Sequence, residues 1–235
     1  MALLQQDAAT PGVQIRDALS GALVRDIPFS SGHAGIGFSV IADLNANSAR
    51  ELALLSDTKG PAIAHQIEIR DSSTGELIHT LNFPAGQRVR SLFKLPDLNE
   101  NDSHELVTLH PELHEFGVMD SQTGAELNSI ETALTEPLFT GTQTSIGSGT
   151  RLAVLGRSDP DGQIRAEVYN SLTSAIVNTI AFDQSGVTVS FRAIPDINGN
   201  GSSELVRLRA QAGPPALVAE IRDGGTGELL NTIGF

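Results

Sequence analysis

Short apolar stretches alternate with polar turns along the whole chain, and none of them has the periodicity or the caps of an amphipathic helix. In the middle of the chain the stretches are Arg88–Leu95, Glu105–Leu109, Phe116–Asp120 and Ala125–Glu131. Runs of this length, bounded by Gly, Asn and Asp, predict β-strands joined by tight turns rather than helices. The hydrophobic pattern therefore predicts an all-β chain.

A tight-turn signature divides the chain into periods. It begins with Asp or Asn at positions 17, 71, 120, 170 and 223, so successive copies are 54, 49, 50 and 53 residues apart. The leading side chain bonds the backbone ahead of it, and the Gly that ends four of the copies supplies the positive φ needed to re-enter a strand. The copies are Asp17-Ala18-Leu19-Ser20-Gly21, Asp71-Ser72-Ser73-Thr74-Gly75, Asp120-Ser121-Gln122-Thr123-Gly124, Asn170-Ser171-Leu172-Thr173-Ser174 and Asp223-Gly224-Gly225-Thr226-Gly227.

An apolar pair follows each turn signature, ten and twelve residues after its first residue. In four periods it is Ile or Leu followed by Phe, and in the third a Thr replaces the Phe. Even spacing places both side chains on one face of a strand, so we expect these pairs to form packing seams between neighbouring sheets. The pairs are Ile27/Phe29, Leu81/Phe83, Ile130/Thr132, Ile180/Phe182 and Ile233/Phe235.

Four strands in each period of roughly 50 residues match a propeller blade, whereas a β-helix needs shorter and more uniform coils. We predict an all-β, five-bladed β-propeller of about four antiparallel strands per blade, in one domain covering residues 1–235. The first blade lacks its innermost strand. Flanking sequence, a partner chain or self-association could complete this open edge, or the blade stays three-stranded. The predicted blades are residues 1–29, 34–83, 87–132, 138–182 and 187–235.

A polar loop occurs three times, each time just before an apolar run. The copies read D-[LI]-N-x-N-x-x-x-E-L and begin at Asp43, Asp97 and Asp196. Their oxygen-bearing side chains fall at loop positions 1, 3, 5 and 9, and calcium prefers six to eight hard oxygens supplied by alternating positions of a short loop. The corresponding segment of the fourth period, residues 143–151, has lost the carboxylates, and we expect it to bind no metal.

This loop pattern resembles the FG-GAP and VCBS-type repeats of integrin-like bacterial β-propellers, in which a D-x-D-x-D-G-x-x-D loop holds calcium. Through the repeat, the resemblance covers nearly the whole chain. It implies a non-catalytic binding or adhesion scaffold of a secreted or cell-surface bacterial protein, with a protein or glycan ligand. Transferred residue by residue, it implies calcium ligands at Asp43, Asn45, Asn47 and Glu51, at Asp97, Asn99, Asn101 and Glu105, and at Asp196, Asn198, Asn200 and Glu204.

The loops also differ from the family pattern. Asn replaces Asp at positions 3 and 5, so each loop offers two formal charges where the strong sites of the family offer about four, and fewer charges weaken calcium binding. The alternative interpretation is that the Asp and Asn side chains form Asx turns and that the Glu accepts hydrogen bonds from loop amides. The loop at Asp196 keeps two glycines and is the best metal candidate, whereas Ala46 and Ala49 favour the structural interpretation at Asp43.

Composition narrows the function further. The 15 basic and 28 acidic residues give a net charge of −13, which argues against a nucleic-acid surface and favours solubility, with cation attraction or a halophilic setting as alternatives. The absence of Cys excludes disulfides, thiolate metal sites and Cys nucleophiles. No apolar run approaches the roughly 20 residues of a membrane span. Met1-Ala2-Leu3-Leu4 lacks the basic start of a signal peptide, and Ala2-Leu3-Leu4 matches the interior of a repeat, which suggests an expressed fragment or an unusual terminus.

Catalytic motifs do not stand out. The densest histidine cluster, His110–Glu115, contains Pro111, which removes the helical presentation of a zinc H-E-x-x-H motif, and its place between two strands accounts for its polarity. The sequence has no G-x-S-x-G motif and no Gly-rich phosphate loop. The turn signature also occurs in quinone-dependent propeller enzymes, but these use tryptophans to dock their blades, and this chain has none. We therefore expect a protein that is not an enzyme.

An Arg precedes the turn signature at Arg16, Arg70 and Arg222, and two interpretations account for it. The repeated Arg could form one anion- or glycan-binding site per blade, which would make the protein lectin-like. Alternatively, each Arg is a strand residue paired with a neighbouring acid. Met119 and Tyr169 occupy the same place in the other periods, which favours the second interpretation.

Overall fold

The chain was examined as a computed structural model that describes residues 1–5, 11–58, 64–142, 150–159 and 161–235, without the side chains of residues 139–142. Within these residues, strands follow one another with no helix between them, and they form five successive antiparallel sheets. The prediction of an all-β chain is confirmed. Successive small sheets of this kind make the architecture β-propeller-like.

The first sheet has three strands, and the others have four, each in sequence order. The first sheet consists of β1 (Ala2–Gln5), β2 (Gly12–Arg16) and β3 (Leu23–Pro28). The second and third sheets consist of β4 (His33–Val40), β5 (Glu51–Thr58), β6 (His65–Asp71), β7 (Leu77–Asn82), β8 (Leu92–Leu95), β9 (Glu105–His110), β10 (Glu115–Asp120) and β11 (Glu126–Glu131). The fourth and fifth sheets consist of β12 (Thr135–Thr142), β13 (Arg151–Arg157), β14 (Ile164–Asn170), β15 (Ile176–Ala181), β16 (Val187–Ile194), β17 (Glu204–Ala210), β18 (Leu217–Asp223) and β19 (Leu229–Gly234).

The first strand of the third sheet is shorter than its apolar pattern predicts. The sequence predicts a strand over Arg88–Leu95, but β8 begins only at Leu92. Backbone hydrogen bonds from Arg90 N to Leu109 O (3.0 Å) and from Leu109 N to Ser91 O (3.4 Å) continue the alignment without a regular ladder. Apolar periodicity marks the buried residues of this segment, and it does not mark where regular pairing begins.

In the second and third sheets the most deeply buried strand is the second. All six residues of β9 are buried, and so are Glu51 to Ser56 in β5. The last strand of these sheets and of the fourth is mostly exposed or half-buried, with one buried Ile or Leu near its end, as in β11 and β15. A strand covered on both faces needs a nearly continuous apolar run, which explains Leu52-Ala53-Leu54-Leu55.

The predicted packing seams are present where a following sheet covers the pair. Phe29 and Phe83 are 5% and 9% exposed, and they pack in apolar clusters with residues of the next sheet, Leu52 and Leu106 respectively. Phe182 is 3% exposed and packs with Phe191 and Leu205 of the fifth sheet. The even spacing in the sequence therefore correctly identified these interfaces.

By their contacts, the described residues divide into two compact units, residues 1–129 and 130–235. The single domain remains a prediction. Each of the three apolar seams named above lies within one unit, and so does each polar loop described below. In the part of the chain that the structure describes, no helix is long and apolar enough to cross a membrane.

Candidate functional site: polar loops and turn carboxylates

The three polar loops predicted as metal sites share one backbone conformation. Loop positions 4 and 6 have left-handed φ values between 60° and 84° in every copy, at Ala46, Ser48, Glu100, Asp102, Gly199 and Gly201. Gly adopts this conformation without strain, whereas other residues need compensating contacts. The alanines of the loop at Asp43 therefore do not give it a different shape from the loop at Asp196.

The Asp at loop position 1 supplies those contacts. Asp97 Oδ1 accepts hydrogen bonds from the backbone N–H of Asn99 and Glu100, at 3.1 and 2.7 Å, and Asp97 Oδ2 accepts one from Asp102 N at 2.7 Å. Asp196 accepts the equivalent bonds from Gly199 N and Gly201 N, at 2.7 and 2.6 Å. Burial opposes the charge of Asp97, but these backbone bonds outweigh burial and lower its pKa. The Asp thus fastens the loop on itself, as expected for an Asx turn.

The Asn side chains at positions 3 and 5 join the loop to the neighbouring turn signature. The Nδ2 atoms of Asn198 and Asn200 donate to Asp223 Oδ2, at 2.8 and 2.5 Å. Their Oδ1 atoms accept the backbone N–H of Asn200 and Ser202, at 3.0 and 2.8 Å, which fixes the orientation of both amides. The same arrangement joins Asn45 and Asn47 to Asp71, and Asn99 and Asn101 to Asp120. We call each set, two Asn amides on one turn Asp, a loop–turn lock.

Both carboxylate oxygens of the turn Asp in each lock accept several hydrogen bonds. Besides the two amides on Oδ2, Asp223 Oδ1 accepts hydrogen bonds from Gly225 N at 3.0 Å, Thr226 N at 2.5 Å and Thr226 Oγ1 at 2.8 Å. Asp71, Asp120 and Asp223 are all at most 1% exposed. Burial alone would raise the pKa of Asp120, but hydrogen bonds from Thr123, Asn99 and Asn101 outweigh it and lower the pKa to about 2.

A second buried carboxylate lies directly across the ladder from each turn Asp. Glu51, Glu105 and Glu204, the residues at loop position 9, are fully buried and are in register with Asp71, Asp120 and Asp223 respectively. Glu105 Oε2 accepts one bond from Leu98 N at 2.9 Å, and Glu204 Oε1 accepts bonds from Ile197 N and Asn198 N at 3.0 and 3.3 Å. The other carboxylate oxygens, Glu105 Oε1 and Glu204 Oε2, have no hydrogen-bond partner.

Charge is therefore divided unequally between the two carboxylates. Burial raises the pKa of Glu105 to about 7, and the negative charges of Asp97 and Asp120 add to the rise, while the bond from Leu98 N is the largest contribution that opposes it. Burial likewise raises the pKa of Glu51, with Asp43 and Asp71 contributing in the same direction. Asp120 keeps its charge because five donors surround it, and Glu105 has too few donors to do so.

Glu105→Gln should raise the stability of the protein at pH 7–8 by about 3 kcal/mol, since one pKa unit corresponds to about 1.4 kcal/mol. A folded-state pKa near 7, above the unfolded value of 4.5, gives a contribution that is complete below pH 4.5 and is lost as the pH rises through 7. Gln is neutral at every pH, so the variant should lose this decline. Urea unfolding between pH 4 and 8, in chelator to exclude divalent cations, measures the difference.

Glu126→Gln is the matched control, since Glu126 is exposed on the same sheet. This variant should follow the wild-type pH dependence throughout. Parallel curves for Glu105→Gln and wild type, with no divergence between pH 5 and 8, would show that Glu105 is ionised at an ordinary pKa.

The first and fourth sheets lack the lock and show what the turn does alone. Asp17 is exposed and accepts only local bonds, from Leu19 N at 3.1 Å, Ser20 N at 2.7 Å and Ser20 Oγ at 2.8 Å. In the fourth sheet, Asn170 replaces the Asp and accepts the same turn bonds from Leu172 N and Thr173 N, both at 3.0 Å. The fourth-period loop predicted to bind no metal lies largely outside the described residues. Asp at the buried turn thus occurs together with an N-x-N loop.

The donor chemistry of the loops decides how calcium would fit. The unpartnered Glu204 Oε2 and the carboxylates of Asp196 and Asp223 are the hard oxygens that calcium prefers. The Nδ2 atoms of Asn198 and Asn200 are donors, however, and they face Asp223. Calcium could use these Asn residues only after their carbonyl oxygens replaced the amide nitrogens, at the expense of the lock. Among the described residues, no group of three or more His, Asp or Glu side chains is arranged to hold a metal ion.

The repeated Arg before the turn is a structural residue in two of its three copies. Arg70 and Arg222 each form an ion pair with the Glu two residues earlier, Glu68 and Glu220, at 2.6 Å. Each also donates to the carbonyl of the turn glycine, at 3.1 and 3.0 Å. For these two residues the predicted pairing with an acid is confirmed, but the acid lies on the same strand rather than across the ladder. The two Glu side chains are buried as well, and they reach the preceding sheet.

The histidine cluster borders a cleft of about 330 Å³ whose lining includes Pro84, Arg88, His110 and Leu113. His110 is 4% exposed, its Nε2 lies 2.9 Å from Thr108 Oγ1, and its ring is tilted against Phe83 at 5.6 Å. Burial lowers the pKa of His110, so the ring is neutral at pH 7. A buried, neutral imidazole packed on an aromatic ring is a wall of this cleft.

The turn carboxylates Asp71, Asp120 and Asp223 are the site residues that the predicted ligand sets omit. The sequence contains their signal: the turn begins with Asp wherever an N-x-N loop precedes it, and with Asn in the period whose loop lacks that motif. The register of the second and third strands then brings position 9 of the loop opposite the turn. This pairing could have been anticipated from the repeat spacing.

Several solved structures resemble the chain in fold. A protein of unknown function from Bacteroides caccae matches with a TM-score of 0.57 at 15% identity, over 100% of this chain and 78% of that chain. A mutant of the Synechocystis apocarotenoid oxygenase matches with a TM-score of 0.60 at 12% identity, over 100% of this chain and 57% of that one. The hydrazine synthase of Kuenenia stuttgartiensis matches with a TM-score of 0.50 at 13% identity, over 79% of this chain and 46% of that one.

This chain spans about half the length of the two enzyme chains. Identities of this size show likeness in fold and leave function open. No family model and no curated protein matches the sequence.

Proposed function

We propose that the chain is a non-catalytic binding scaffold of the five-bladed β-propeller class, secreted or displayed at a bacterial cell surface, with loops that bind calcium weakly. The observation that carries the proposal is that one polar cluster is built three times with the same hydrogen bonds. A catalytic centre needs one asymmetric set of groups held in readiness for a substrate. The polar side chains of the locks instead hydrogen-bond to one another and fix the loops, as expected in a scaffold.

The resemblance to FG-GAP and VCBS-type repeats supports the same proposal. In such a scaffold, rigid sheets present loops to a protein or glycan ligand. Binding then requires that the loops keep a fixed shape, whereas a catalytic set of side chains is not needed. The lock performs this task, because it holds the polar loop against the turn of the same sheet. Calcium at the buried Glu would add to this rigidity.

Calcium should raise the thermal midpoint by a few degrees. A ligand that binds only the folded state at tenfold its dissociation constant adds about 1.4 kcal/mol of stability. Glu204→Gln removes one of the two formal charges of the loop at Asp196, so it should reduce the calcium increment while leaving a stable fold. Differential scanning calorimetry in calcium, in magnesium and in chelator provides the measurement.

Glu228→Gln, an exposed residue of the same sheet, is the control and should keep the full calcium increment. A midpoint that is the same in chelator and in excess calcium would remove the metal from the proposal and leave the loops as Asx turns.

Binding itself is testable with panels of extracellular proteins and of glycans. We expect retention on members of the protein panel, without turnover. Retention confined to glycans would favour the lectin-like alternative, and turnover of a panel of hydrolase and oxygenase substrates would contradict the scaffold assignment.

A further inference from the structure

A further cleft lies between the fourth and fifth sheets, and its lining residues all belong to the unit of residues 130–235. It has a volume of about 260 Å³, and aliphatic side chains from β12, β13, β14 and β16 line it. These side chains are Leu138, Leu155, Ile164 and Val187. Sites for drug-sized ligands measure roughly 300–1,000 Å³, so this cleft suits a smaller molecule with an apolar body.

Two hydrogen-bond donors interrupt this aliphatic lining. Arg157, the last residue of β13, is exposed, and its Nη1 donates to Gly162 O at 3.2 Å. A guanidinium has five N–H donors, so this single bond leaves the planar fork able to bind a carboxylate. Thr188 Oγ1 accepts a hydrogen bond from Arg207 Nε at 2.8 Å, so the hydroxyl hydrogen points away from that guanidinium. The cleft therefore combines one cation and one hydroxyl with an aliphatic space.

A fully buried cation lies behind Thr188. Arg207 is 0% exposed, and its other donors bond the carbonyl oxygens of Asp183 and Ser185. Burying a charge is costly unless another charge or several hydrogen bonds compensate it. The equivalent positions of the second, third and fourth sheets are uncharged: Leu54, Thr108 and Val154. The fold therefore does not require a charge at this position.

The acidic side chains that act on Arg207 are paired with other arginines. Glu220 lies opposite Arg207 in the ladder, but it forms an ion pair with Arg222 at 2.6 Å. Asp183 likewise forms an ion pair with Arg209 at 3.1 Å. The positive charge of Arg207 is thus only partly compensated, and through its bond to Thr188 it lies next to the cleft.

We propose that this cleft binds the carboxylate of a short aliphatic acid, with the chain of the acid against the aliphatic walls. Arg157 would hold the carboxylate through its fork, and Thr188 would donate its hydroxyl hydrogen. The buried charge of Arg207 would favour a negative ligand on the other side of Thr188. Glu136 is an exposed carboxylate of the same lining, and its repulsion favours a monoanion over a phosphate dianion.

Titration of the whole chain with unbranched monocarboxylates, from acetate to hexanoate, tests the site. Two-dimensional NMR should show saturable shifts of the amide resonances of Gly156 and Thr188. The affinity should rise about fourfold for each methylene that the cleft buries. Hexanamide and hexanol have the same chain without the charge, so they should bind far more weakly than hexanoate.

Arg157→Gln should weaken hexanoate binding roughly tenfold to a hundredfold, because it removes a hydrogen bond between charged groups. Arg157 is exposed, so circular dichroism should show an unchanged fold. Arg192→Gln is the matched control, since Arg192 is an exposed arginine of β16 that does not line the cleft. This variant should bind hexanoate as the wild type does.

Three results would overturn the proposal. The first is the absence of a saturable shift with every acid of the series. The second is equal binding of hexanoate and hexanamide, which would make the cleft merely apolar. The third is an equal affinity of Arg157→Gln and Arg192→Gln for hexanoate, whether both are weakened or neither is. Binding of protein or glycan panels does not depend on this cleft, so either proposal can fail while the other stands.

Discussion

Phe182→Ala should lower the free energy of unfolding by about 3–5 kcal/mol, the range measured for truncation of a buried Phe. Phe182 is 3% exposed, meets Phe191 edge to face at 6.2 Å and lies beneath the guanidinium of Arg222. Its removal leaves a cavity between two sheets that cannot collapse, because the backbone of each sheet is fixed by its own ladder. Urea unfolding followed by circular dichroism measures the loss.

Phe235→Ala is the internal comparison for this experiment. The residue holds the same repeat position, but it is 69% exposed, so at a concentration where the chain is monomeric its truncation should cost well under 1 kcal/mol. Equal losses at the two positions would show that the burial of Phe182 does not contribute to stability as a seam.

Asp223→Ala should have a comparable effect, about 3–5 kcal/mol, through loss of a buried polar network. The buried carboxylate accepts hydrogen bonds from Asn198, Asn200, Gly225 and Thr226, and its removal leaves these partly buried donors without an acceptor. Each unsatisfied donor costs about 1–3 kcal/mol, so part of the loop should relax toward water. Thermal unfolding gives the loss in stability, and amide exchange at residues 197–202 reports loosening of the loop.

Asp17→Ala separates the lock from the turn. Asp17 begins the same signature, is exposed and accepts bonds only from its own turn, so the substitution should cost much less stability than Asp223→Ala. The loss of stability for Asp223→Asn should fall between those of the two Ala variants. Asn170 shows that an Asn side chain still closes the turn, but the amide nitrogen at position 223 would be a third donor facing Asn198 and Asn200. If Asp17→Ala and Asp223→Ala cost the same, the lock contributes nothing beyond the turn.

The strands and seams could be predicted from the sequence because their physical causes are local and periodic. Alternation of side chains places Ile180 and Phe182 on one face, and the fixed interval between turns brings the next sheet to cover them. The beginning of β8 could not be predicted, since Val89, the apolar residue before Leu92, is buried without forming a regular ladder. Burial and regular pairing usually coincide in a strand, and here they do not.

The candidate site was predicted only in part. The sequence identifies Asp97, Asn99, Asn101 and Glu105 as one functional set, and the structure adds Asp120 as the group that the two amides bind. Strand register brings Asn99 to Asp120, 21 residues later in the chain, and the composition of the loop alone does not predict this contact. The orientation of each Asn amide depends on backbone donors such as Ser103 N, so the choice between carbonyl and amide could not be read from residue type.

The loop–turn lock also bears on the order in which the chain folds during synthesis. In the three locks the first Asn and the turn Asp are 26, 21 and 25 residues apart, and both residues of each lock belong to the same sheet. Contacts between residues close in sequence form early, because closing a short loop costs little chain entropy. Each of these sheets can therefore form its own polar network before the next sheet leaves the ribosome. Its last strand is then in place for the following sheet to pack against.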